Sequence, residues 1–200
     1  VDMTEWYGST LSASFKSRHR TCGYLAVMDE RAQRGITGDH TTDGRPDGFS
    51  SITPFLAVPN ARDALGFYES VFDAEIGGVT EMPGPDGSSV VVHAEVRCTD
   101  GRFQIGEPNP TYHLVAPPGG DDACYSLGIY VTDVDATLDR AVAAGAQVRE
   151  PATTFVSGDR YASILDPFGV RWSIMTRVED LSEEESNARV ATWAAEQHQG

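Results

Sequence analysis

Lysine is nearly missing from this chain of 200 residues: Lys16 is the only one, and residues 51–200 have none. No Schiff-base lysine is therefore available in that stretch. Cysteine is scarce and odd in number, with Cys22, Cys98 and Cys124 far apart and no C-x-x-C pair. That argues against a disulfide scaffold or a zinc knuckle and leaves the thiols as small buried hydrophobes. No apolar run approaches the length of a membrane span, and no basic-then-apolar leader opens the sequence. No membrane partner is expected, and the expected location is the cytoplasm.

Positive charge is short as well. Lys+Arg total 15 against 30 Asp+Glu, a formal net charge of −15. The first fifty residues are almost neutral, whereas residues 51–200 set nine arginines against 23 acidic residues. A field of that sign repels phosphate backbones, so nucleic acid is not an expected partner. Its plain meaning is solubility; its sharper meaning is attraction of a cationic ligand.

What the sequence does have is a repeat. The first copy runs Phe55-Leu56-Ala57-Val58, then Pro59-Asn60, then a helical pattern through Ala64, Leu65, Tyr68 and Phe72, and restarts at Ala74-Glu75-Ile76. The second runs Leu127 to Val131, then Thr132-Asp133, then Ala136, Leu138, Ala141 and Val142, and restarts at Ala146-Gln147-Val148. Asn60 and Asp133 are suited to cap the first helical turns, and Gly145 to supply a left-handed helix end. Extended stretches follow each helix, at 74–81, 89–97 and 101–106, then at 146–150, 159–165 and 170–177.

The pattern predicts an α+β fold of two tandem βαβββ modules forming a curved mixed-sheet cup, each sheet with one helix-covered and one open face. The expected organisation is an N-terminal extension over 1–50, a first module with its linker over 51–118, a second module over 119–178, and a C-terminal acidic helix over 179–200. The helix start is marked by a Ser182/Glu185 capping box. The extension is expected to be partly disordered or to add an edge strand through Tyr24-Leu25-Ala26-Val27.

Ordered motifs within these modules resemble the vicinal oxygen chelate (glyoxalase/bleomycin-resistance/dioxygenase) superfamily. Phe67-Tyr68 with Phe72-x-Ala74-Glu75, and Val131-Thr132-Asp133-Val134-Asp135-Ala136, resemble two of its elements. Gly158-Asp159-Arg160-Tyr161, Asp166-Pro167-Phe168-Gly169-x-x-Trp172, His93-Ala94-Glu95-Val96 and Glu179 to Glu184 are similar to its PhnB-like branch. The superfamily hosts metalloenzymes, metal-free isomerases and drug-binding resistance proteins, so the resemblance implies a fold before it implies a function. Matched by strand, its metal positions fall at Thr53, Gln104, Ser126 and Ser173. Three hydroxyls and an amide are poor ligands for a divalent ion, so no metal or other cofactor is expected.

Period-two alternation selects the remaining candidates. In strand 89–97 it sets Val90, Val92, Ala94 and Val96 under the helix, and Val91, His93, Glu95 and Arg97 in the cup. His93 and Glu95 then form an acid/base pair or supply two ligands to a rearranged metal site, or else form a structural hydrogen-bonded row with Arg97. Phe55 and Tyr130 offer stacking surfaces to a planar ligand, with Thr53, Gln104, Ser126 and Ser173 beside them. Arg160 either clamps an anionic group or braces a turn through Asp159. Trp172 is assigned to the core, and His19, His40 and His113 to solvent.

Three functions follow, in this order. The first is sequestration of a small organic molecule, cationic or aromatic, as in resistance proteins. The second is a metal-independent isomerase, cyclase or lyase using His93 and Glu95. The third is a metalloenzyme whose ligands have moved. A homodimer is expected in each case, since many relatives dimerise.

Overall fold

The computed structural model of the chain describes residues 34–84 and 87–198. His19, Cys22 and the Tyr24–Val27 island lie outside the described residues. A small hairpin comes first, β1 (Thr41–Thr42) with β2 (Arg45–Pro46), paired to neither main sheet. The first module is β3 (Phe55–Ala57), α1 (Ala61–Phe72), β4 (Glu75–Pro83), β5 (Ser89–Cys98) and β6 (Gly101–Gly106). The second is β7 (Ser126–Tyr130), α2 (Val134–Ala143), β8 (Gln147–Thr154), β9 (Asp159–Leu165) and β10 (Arg171–Arg177), followed by α3 (Glu183–Gln197). The sheets have equivalent orders, β3-β6-β5-β4 and β7-β10-β9-β8, with the first pair of each parallel and the rest antiparallel. The repeat read from the sequence is thus a repeat of topology.

The helices form where the apolar spacing demands. Ala61, Ala64, Leu65, Tyr68, Val71 and Phe72 are all buried on α1, at intervals that keep one face of a 3.6-residue period inward. Asp133 caps α2 by accepting from the Ala136 N–H at 3.0 Å, and Gly145 takes the left-handed conformation after it. Asn60 departs from expectation: it is itself left-handed (φ 52°) and its side chain makes no cap bond. Its carbonyl instead accepts from the Asp63 and Ala64 N–H groups. The Ser182/Glu185 capping box is complete.

The two modules pack with their helix-covered sides together. Tyr68 of α1, fully buried, lies edge-on to Phe103 of β6 (5.3 Å between centroids) and to Trp172 of β10 (5.5 Å). Phe103 and Trp172 are themselves 5.5 Å apart, so a strand of each sheet looks into one shared core. Asp166, in the tight turn before β10, ties this core by hydrogen bonds. It accepts from the Tyr68 hydroxyl (2.9 Å), the Trp172 indole N–H (3.0 Å) and the N–H groups of Phe168 and Val170. Burial pushes its carboxyl above the usual carboxylate range, against the pull of those donors.

Because the covered sides face inward, the two open faces point away from each other. This corrects the expectation that Tyr130 lies in one cup with His93, Glu95 and Gln104: within one copy, Tyr130 belongs to one outer surface and the other three to the opposite one. The sheet edges differ in a related way. The outer strands β4 and β8 carry Glu75, Glu81 and Pro83, or Arg149, Glu150 and Pro151, and each pairing is broken by register shifts. Charge, proline and bulges are the usual protection of a free edge. The opposite edges, β3 (FLA) and β7 (SLGIY), have none of these. Val58 N–H bonds Gly106 and Val131 N–H bonds Met175, so alternation turns the backbone of Phe55, Ala57, Gly128 and Tyr130 to the free sides.

Candidate functional site

On the first open face a β-bulge decides which side chains are presented. Thr80 pairs with His93 and Glu81 with Val91, leaving Val92 as an extra residue on β5. The alternation expected along 89–97 therefore slips by one. Ala94 and Val96 are buried under the helix as expected, but beyond the bulge it is Val91 (1% exposed) that enters the core. Val90 and Val92 are left half-buried. His93 remains on the open side, its ring 6.3 Å from that of Phe55, which is 37% exposed. Gln104, opposite Phe55 in the β3–β6 register, completes a polar-aromatic group of three. Among the described residues neither the His93 ring nor the Gln104 amide has a hydrogen-bond partner.

Glu95 and Arg97 point the same way but are otherwise occupied. Arg102 donates to Glu95 at 2.9 Å and Arg97 to Glu75 at 2.7 Å, so no His93–Glu95–Arg97 row forms. The end of the extension covers this half of the face. Gly48 is left-handed (φ 76°), and the Arg102 guanidinium stacks 4.0 Å from the centre of the Phe49 ring. The ion pair is largely shielded, with side-chain exposures of 11% for Arg102 and 24% for Glu95. The described part of the extension thus lies as a strap over this half of the face.

The second open face is internally bonded. The hydroxyls of Ser126 and Ser173 share a hydrogen bond of 3.2 Å. Glu150 accepts from the Tyr161 hydroxyl (3.0 Å) and from Arg171 (2.9 Å), which also donates to Ser163. The Tyr130 hydroxyl meets Arg177, and its ring is 59% exposed. Arg160 is not on this face. It grips Asp135, in the first turn of α2, with two hydrogen bonds of 2.5 and 2.6 Å. Asp159, the partner weighed from sequence, is held by Arg177 instead. Trp172 is in the core, whereas His40 and His113 are exposed.

Residues 39–174 match the model of the glyoxalase/bleomycin resistance protein/dioxygenase superfamily. The chain belongs to that superfamily. An uncharacterized protein of Mycobacterium bovis is 33% identical over 146 residues, which is 71% of this chain and 93% of that protein. Another from Mycobacterium tuberculosis has the same identity and covers 83% of its length. The fold is shared with a solved protein of Pseudomonas aeruginosa (20% identity, TM-score 0.51, 64% of this chain and 98% of that one). It is shared as well with the PhnB protein of Bacillus cereus (22%, TM-score 0.50, 64% and 99%).

Some members of the superfamily hold a metal ion, and the residues here do not suit one. Thr53, Gln104, Ser126 and Ser173 offer no imidazole or carboxylate, and two of the hydroxyls already bond each other. Gln104 also belongs to the first sheet, with Thr53 just before its strand β3, whereas Ser126 and Ser173 belong to the second, facing away. Among the described residues no group of three His, Cys, Asp or Glu is arranged to hold a metal. No described helix is long and apolar enough to cross a membrane.

Sequence reasoning did not find three features that shape this site: the strap residue Phe49, the Arg102–Glu95 pair and the Glu150 network. Arg102 and Glu150 each lay on a face that alternation could have marked. Phe49 carried no signal, because its position depends on a long-range contact with Arg102.

Proposed function

We propose that the protein sequesters a small planar organic molecule between the open face of its first sheet and that of the second sheet of another copy. The observation that carries this reading is the group Phe55, His93 and Gln104, whose polar members have no hydrogen-bond partner among the described residues: an aromatic surface with two such groups beside it suits a ligand with ring and hydrogen-bonding atoms. A single copy supplies only one wall. The facing wall, with Tyr130, Ser126 and Ser173, comes from a second copy in a homodimer. The undefended β3 and β7 edges support this, since one copy's β3 can extend along its partner's β7 and satisfy the free backbone groups of both. The acidic field favours a ligand of positive charge. Free Cys98 and Cys124 suit a reducing compartment, the cytoplasm.

Metal-independent isomerase or lyase chemistry is the second reading, and one observation favours it: His93 has no hydrogen-bond partner among the described residues and lies beside Phe55 on the open face. Glu95 fits the role of its acid/base partner less well, being engaged with Arg102. Native mass spectrometry of purified protein, followed by a thermal-shift screen of planar aromatic compounds, distinguishes the readings. A dimer that retains or is stabilised by such a compound without altering it supports sequestration. Conversion of the compound by the wild type, lost in His93→Ala, favours the enzyme. A protein that neither retains nor responds to any planar compound contradicts both.

A further inference from the structure

A groove of about 580 Å³ opens between α3 and the turn joining β8 to β9, sharing no residue with either open face. Its walls are firmly tied. Gly158 is left-handed (φ 87°) and passes so close to Leu181 that a Cβ there would meet the leucine at 2.8 Å. The Val178 and Glu179 N–H groups both donate to the Gly158 carbonyl, and the Ser186 hydroxyl donates to that of Ser157 at 2.9 Å. The groove is therefore built into the junction of helix and sheet.

Its chemistry is aromatic and acidic. The Trp193 ring packs edge-on to Phe155 at 4.9 Å, yet remains 39% exposed. Ala188 and Thr192, one turn apart on α3, are small and leave room beside it. Arg189 is bonded to Glu179 at 2.8 Å, so those charges cancel. Glu196, close to one turn from Trp193, has no ion pair among the described residues and leaves the groove one negative charge in excess. An exposed indole next to an uncompensated carboxylate favours a weakly hydrated organic cation over a metal ion or an anion.

We propose that this groove is a second small-molecule site, for an organic cation of the quaternary ammonium class. The Trp193 ring contacts the apolar shell of the cation, and Glu196 balances its charge. The site is independent of the ligand proposed for the open faces.

The test is a titration of the full chain with choline chloride, followed through the indole N–H resonance of Trp193, which is identified by its loss in Trp193→Phe. The control is 3,3-dimethylbutan-1-ol, which has the same shape without the charge. A saturable shift is expected with choline, with binding of the neutral alcohol at least about tenfold weaker. Glu196→Gln should weaken choline binding about threefold by the same signal, and Trp193→Ala about tenfold as followed through the backbone amide resonances of α3, while His93→Ala leaves it unchanged. Both substitutions are on an exposed helix, and an otherwise unchanged spectrum verifies the fold. No saturable shift, an equal response to the neutral alcohol, or undiminished binding in Glu196→Gln and Trp193→Ala would each overturn the proposal.

Discussion

On the first sheet's open face the His93 ring and Gln104 amide have no hydrogen-bond partner among the described residues, whereas on the second the polar groups engage one another. Ser126 bonds Ser173, Glu150 joins Tyr161 to Arg171, and Tyr130 meets Arg177. Two modules of one topology have thus diverged in how their outer side chains are satisfied. A face with unmet hydrogen-bonding capacity is suited to recognition, and one whose side chains fix each other is suited to be a pre-arranged wall. The shared core behind both faces is a third environment, and substitutions in the three should have separable effects.

The largest effect on stability belongs to the core. Asp166→Ala leaves the Tyr68 hydroxyl, the Trp172 indole N–H and two backbone N–H groups without their acceptor, which should cost about 3 kcal/mol or more. For a domain of this size that is a fall in Tm of roughly 6–12 °C. Because burial raises the Asp166 pKa in the folded protein, its linked contribution is fully present below its unfolded value and is lost as pH rises through the folded one. Urea denaturation across acid to neutral pH should therefore show a weaker loss of stability with rising pH in Asp166→Asn than in the wild type. An unchanged slope would contradict the burial argument.

Next in size are the recognition groups. His93→Ala and Gln104→Ala should each weaken ligand binding about tenfold or more while moving Tm by no more than about 2 °C, since neither holds another residue in place. Early melting with unchanged affinity would instead make them structural. On the second face Glu150→Gln is expected to have a smaller effect. Its partners are partly exposed, so stability should change by about 0.5 kcal/mol, with a severalfold loss of affinity as Tyr161 and Arg171 gain freedom. Phe49→Ala should change stability by a similarly small amount, about 0.5 kcal/mol from the lost stacking on Arg102. Hydrogen exchange should rise in the strap and not in β5.

Much of this architecture could be read from residue order, because it rests on local rules. The restart after each helix, the Asp133 cap, left-handed Gly145 and the Ser182/Glu185 box are short-range patterns, and each is present. Alternation failed where a bulge intervened: nothing in Val90-Val91-Val92-His93 marks which valine is the extra one, since pairing with β4 decides it. Arg160 was misjudged for a similar reason, its partner Asp135 being 25 residues away on α2. The orientation of the modules was least legible. Periodicity identifies a covered side for each sheet but not whether the covered sides meet, and that depends on Tyr68, Phe103, Trp172 and Asp166 closing one core.

If each binding site is shared between two copies, dimers that mix two variants will reveal it. His93→Ala removes a group from the first open face and Tyr130→Ala one from the second. Each homodimer should then bind poorly the planar compound that best stabilises the wild type. In a dimer of one copy of each variant, one shared site carries both substitutions and the other carries neither. Calorimetry on this purified mixed dimer should recover one wild-type site per dimer. Mixed dimers that bind no better than their parents, or copies that bind fully as monomers, would contradict it.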